Sequence, residues 1–126
     1  MRLLVCGGRT YGENTAGKPD DQIAAERVVI ATTLDAIYAQ DDIECLIHGC
    51  APGADRLGAR WAASHGIPQD RYPAAWHRLG PRAGPARNAR MLAEGKPDLV
   101  VAFKGGSGTA NMVKQARDAG VLVREV

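Results

Sequence analysis

The feature that most constrains this chain is an alternation: short continuous apolar runs are separated, each time, by a stretch of helical spacing. Arg2-Leu3-Leu4-Val5-Cys6 is the first run, stopped by Gly7-Gly8, and Glu44 to His48 is the second, closed by Gly49. A short strand is expected near Arg71-Tyr72-Pro73, Asp98 to Phe103 is the clearest buried strand, and Val121 to Val126 is the last. Runs that are apolar on both faces belong to a parallel sheet covered on both sides.

Between them, a helix beginning at Asp20 or Asp21, either of which is a capping type, carries Ile23, Ile30, Leu34 and Ile37 on one face. Gly53 to His65 sets Ala54, Leu57, Gly58, Trp61 and Ala62 at three-and-four spacing, and Gly66 ends it. Ala74 to Gly84 reads as irregular. Gly84-Pro85 opens a helix to about Glu94, with proline in its first turn, and Gly105 to Gly108 turns into a helix over Thr109 to Ala119. The order is β-α-β-α-β-α-β-α-β. Right-handed crossovers then predict a single Rossmann-like α/β domain over residues 1–126, with a five-stranded, mainly parallel sheet in the order 3-2-1-4-5 and helices on both faces.

Composition narrows the class. The three cysteines, Cys6, Cys45 and Cys50, are an odd count at no disulfide or metal-ligand spacing, and the first two sit in strand patterns as small hydrophobes. No stretch approaches the roughly 20 apolar residues of a membrane span. The expected compartment is the cytoplasm, with no membrane partner, metal or cofactor. A formal net charge of +2 argues against general nucleic-acid binding. The charge is uneven, however: Arg71, Arg78, Arg82, Arg87, Arg90 and His77 fall in one segment that holds no carboxylate.

In a doubly wound sheet the ligand sits outside the carboxyl ends of the strands where the strand order reverses. Here that point lies between the first and fourth strands, whose exits are Gly7-Gly8-Arg9 and Lys104-Gly105-Gly106-Ser107-Gly108-Thr109. Glycines allow close backbone approach to phosphate, and a helix N-terminus supplies free N–H groups. Lys104 adds charge, and Ser107 and Thr109 add hydroxyls. The spacing fits neither a Walker A loop nor the dinucleotide fingerprint. Asp55, in the first turn after His48-Gly49-Cys50-Ala51-Pro52-Gly53, either favours its own helix N-terminus or holds ribose hydroxyls or a water. Tyr11 and Trp76 are candidates to stack on a base. Arg87 is suited to pair with phosphate and Asn88 to read a polar edge. His48 reads as a hydrogen-bonded core histidine.

Taken together, Gly7-Gly8-Arg9-x-Tyr11, the His48–Arg56 segment, Ala83-Gly84-Pro85-x-Arg87-Asn88-x-x-Met91-Leu92 and Ala102-Phe103-x-Gly105-Gly106-x-Gly108-Thr109-Ala110-Asn111-Met112 closely resemble the YspA/cpYpsA-related branch of the SLOG superfamily. That superfamily also holds the LOG phosphoribohydrolases and the DNA-processing protein DprA. The resemblance implies a modified Rossmann fold for nucleotides or nucleotide-derived ligands. Arg87 and Met91 match the LOG motif Arg-Lys-x-x-Met, and Gly105, Gly106, Gly108 and Thr109 match Pro-Gly-Gly-x-Gly-Thr-x-x-Glu. Lys104 replaces the proline, and Met112 stands where LOG enzymes carry their catalytic glutamate. A thioether neither accepts a proton nor stabilises positive charge. The expected function is therefore binding or sensing of a phosphorylated nucleotide-type ligand. The alternative is an N-glycosidic hydrolase or transferase with Asp55 and Arg87 as catalytic residues. A DprA-like nucleic-acid role comes third. A homodimer is expected by analogy with LOG relatives.

Overall fold

The computed structural model describes residues 1–126. Strands β1 (Arg2–Cys6), β2 (Cys45–His48), β3 (Gln69–Arg71), β4 (Leu99–Ala102) and β5 (Leu122–Glu125) form one sheet, all parallel, in the order β3-β2-β1-β4-β5. Between them run α1 (Asp20–Gln40), α2 (Ala54–Ser64), α3 (Trp76–Leu79), α4 (Ala83–Gly95) and α5 (Ser107–Asp118). The predicted architecture and strand order are those observed.

The two-residue period of the strands divides the core into two layers. Leu3, Val5, Leu46, Leu99 and Val101 point to one face and meet Ile30, Leu34 and Ile37 of α1 and Trp61 and Ala62 of α2. Leu4, Cys6, Cys45, Ile47, Val100 and Ala102 point to the other and meet Met91 of α4 and Met112, Val113 and Ala116 of α5. Every strand residue named here is buried, which is why the runs are apolar without alternation. No helix is long and apolar enough to cross a membrane.

Several boundaries depart from the sequence reading. Neither Asp20 nor Asp21 caps α1. Pro19 occupies the cap position, and its carbonyl accepts from the N–H groups of Gln22 and Ile23. β3 lies two residues earlier than expected, because Leu46 pairs with Gln69, and Pro73 has no N–H to extend the ladder. The segment expected to be irregular instead holds α3 and a 3₁₀ turn, Gly80–Arg82, that runs straight into α4.

Candidate functional site

A cleft of about 590 Å³ opens at the carboxyl edge of the sheet, between the exits of β1 and β4. Of the residues singled out from sequence, Gly7, Gly8, Arg9, Asp55, Trp76, Arg87, Asn88, Gly106, Ser107, Gly108 and Thr109 all line it. They come from the β1, β2 and β4 exits and from α3 and α4, so only the folded sheet brings them together.

Two of the helix N-termini at this edge, those of α2 and α5, are in different states. That of α2 is covered. Ala54 N donates to Gly8 O at 3.2 Å, and Gly53 N donates to Glu13 Oε1 at 2.9 Å, so the loop after β1 lies across it. Gly53 has φ +79°, and a side chain there would collide with the carbonyl of Gly8. The N-terminus of α5 is open. It has no side-chain cap, and the N–H groups of Gly106, Ser107, Gly108 and Thr109 find no acceptor in the chain. Unpaired donors at the positive end of a helix attract an anion.

Arg87 faces the same space. Its Nε donates to Asn88 Oδ1 at 3.0 Å and its Nη1 donates to Gly49 O, which leaves Nη2 without a partner in the chain. Burial lowers its pKa from the ordinary guanidinium value, Asp55 opposes that shift, and Arg9 adds to it. The two arginines thus raise a positive field over the cleft. Arg9 also lies 5.3 Å over the ring of Trp76, which is 44% exposed at the cleft mouth. A base stacking on Trp76 has to share the ring with that guanidinium.

Asp55 is buried, and its role is mixed. Its Oδ2 accepts from Gly49 N at 3.0 Å and Ala51 N at 3.2 Å, folding the β2–α2 loop back onto the first turn of α2. Its Oδ1 has no partner in the chain yet is not sealed off, and Asp55 lines the cleft. Burial raises its pKa, and the hydrogen bond from Ala51, then Arg87, His48 and the bond from Gly49, act against that rise. His48 is buried and structural: Nδ1 accepts from Cys50 N at 3.1 Å and Nε2 meets Gln69 Oε1 at 3.0 Å.

Three expected site residues lie outside the cleft. Tyr11 is buried beneath the folded-back β1 loop, with its ring 5.5 Å from that of Phe103, so it is unavailable to a base. Lys104 and Gly105 face a smaller cavity of about 410 Å³ on the other side of the β4–α5 loop. Gly105 meets the protein's own backbone: a Cβ there would stand 2.6 Å from Gly8 N. Lys104 contributes its carbonyl, which accepts from Gly8 N at 2.9 Å and joins the two glycine loops.

The sequence reading also missed part of the site. Asn111 lines the cleft beside Asn88, and Cys6 forms an apolar floor with Met91 and Met112, which the sequence marked only as motif positions. Met112 is fully buried, and burial holds the Cys6 thiol un-ionised, with its pKa pushed up to about 12. Asn111 was visible only as part of a motif, because a lone asparagine mid-helix carries no signal until its neighbours are placed. No group of three or more His, Cys, Asp or Glu gathers as a metal centre would require.

The model of the YAcAr family, described as YspA, cpYpsA-related SLOG, matches residues 1–79. The Gene 61 protein of Mycobacterium phage D29 is 33% identical over 129 residues, spanning 97% of this chain and 93% of that protein. No solved structure matches. The family match covers the walls that carry Arg9, Asp55 and Trp76, while Arg87 and the open end of α5 lie beyond it.

Proposed function

Since the chain belongs to the YspA/cpYpsA-related SLOG family, we propose that its cleft binds a phosphorylated nucleotide or nucleotide-derived small molecule as a sensing module. The observation that carries this reading is the open N-terminus of α5, whose unpaired N–H groups share one cleft with Arg87 and Arg9. A phosphate can accept from several such donors at once, at the positive end of the helix. Trp76 offers a face to a base, and the free oxygen of Asp55 offers an acceptor to a ribose hydroxyl.

AMP and GMP should stabilise the fold against heat while adenosine and guanosine at equal concentration should do so far less. Ligand at about 100 times its dissociation constant adds roughly 2.7 kcal/mol. Equal effects of nucleotide and nucleoside would remove phosphate from the reading.

A second reading, cleavage of an N-glycosidic bond, rests on Asp55, whose raised pKa and cleft-facing oxygen suit a general acid or base. Against it stand the buried thioether of Met112 and the use of Asp55 Oδ2 as a loop clamp. Release of free base from AMP by the unmodified protein, lost in Asp55→Asn, would favour the enzyme. We expect none above background.

A further inference from the structure

Hydrogen-bond polarity between α4 and α5 is fixed from one end to the other. A guanidinium only donates. Arg87 Nε therefore requires the amide oxygen of Asn88 opposite it, at 3.0 Å. Asn88 Nδ2 then lies on the other side, donating to Gly108 O at 3.2 Å and Asn111 Oδ1 at 3.1 Å. A main-chain carbonyl only accepts, so this contact too forbids the flipped amide of Asn88. Gln115 is locked in the same way, its Nε2 donating to Pro85 O at 3.1 Å and to Asn111 Oδ1 at 2.8 Å. Two donors converge on Asn111 Oδ1, and rotating that amide would set N–H against N–H twice. Asn111 Nδ2 has no acceptor in the chain and is not sealed from solvent, and the residue lines the cleft.

We propose that Asn111 determines specificity at the α4–α5 wall, its amide nitrogen being held as a donor that admits only an acceptor such as a phosphate oxygen. The proposal rests on the phosphate reading above and refines it. Side chains on a helix lean toward its N-terminus, which sets Asn111 over the turn whose N–H groups are unpaired. A ligand group that carries hydrogens, such as an exocyclic amine, meets a like donor at this position and is rejected. Asn88 and Gln115 are positioning residues that transmit the polarity of Arg87 and Pro85 to Asn111.

Asn111→Asp tests this with little disturbance, because one oxygen still accepts from Asn88 and Gln115 and only the cleft-facing nitrogen becomes oxygen. Calorimetric titration should show AMP affinity lower by at least about tenfold, the scale of one hydrogen bond to a charged group. Adenosine binding should not change. The deficit relative to wild type should shrink as the pH falls toward about 4, where a carboxyl regains a proton to donate. If Asn111→Asp does not fold, Asn111→Ala should lose AMP affinity with no recovery at low pH. A variant that binds AMP as wild type does, while wild type still prefers AMP to adenosine, overturns the role of Asn111 alone. A wild type that does not distinguish AMP from adenosine overturns the phosphate reading and this proposal together.

Discussion

Two of the three guanidinium nitrogens of Arg87 are held by the protein, and this decides what a substitution does. Arg87→Ala should weaken AMP binding by about 1.5–3 kcal/mol, the range for a charged hydrogen bond. Arg87→Lys should recover less than half of that in a titration, because one ammonium cannot satisfy Asn88 Oδ1, Gly49 O and the ligand together. Full recovery with lysine would reduce Arg87 to a general positive charge. At this scale the sequence conveyed residue chemistry but not its use. Arg87 was legible as an anion partner. That Asn88 has both amide hydrogens engaged inside the protein was not, since this depends on Gly108 and Asn111 from another helix. Tyr11 misled for a similar reason: its loop folds inward through Glu13 and Gly53, which are far apart in the chain.

Among elements, the strands were the most legible part, because a run buried on both faces has to be apolar throughout. Their order followed from crossover handedness. Less legible was β3, whose Gln69, Asp70 and Arg71 carry no apolar signal and are strands only by pairing with β2. The junction of the two glycine loops separates two roles that look identical in sequence. A side chain at Gly105 would press on the backbone of Gly8, whereas one at Gly106, which lines the cleft, meets nothing within 4 Å. Gly105→Ala should therefore lower the melting temperature by several degrees, the effect of about 1 kcal/mol or more in a domain of this size. Gly106→Val should keep the melting temperature close to wild type and abolish the AMP-induced shift. The reverse pattern would show that Gly106 serves the turn and Gly105 the ligand.

For the whole molecule, Asp55 links stability to pH. Burial makes its native pKa higher than the unfolded value, so the native state binds more protons between the two. Stability from this group is complete below the unfolded value and declines as the pH rises through the native one. Asp55→Asn removes that titration, so wild-type stability measured relative to the variant should fall as the pH is raised from about 4. A relative stability that rises over the same window would mean the carboxylate is favoured in the fold. Both walls of the cleft depend on β1, which pairs with β2 on one side and with β4, from the far part of the chain, on the other. Contacts that close so long a loop form slowly, because chain entropy is lost before they yield anything. The residues synthesised first therefore wait for almost the last ones before Gly8 can meet Lys104 and α5 can present its N–H groups. On the proposed reading, a chain in which these contacts have not formed lacks the donors of α5 that a phosphate would need. A ligand held in this cleft should therefore leave the folding rate unchanged and slow unfolding instead, lengthening the lifetime of a protein that has already folded.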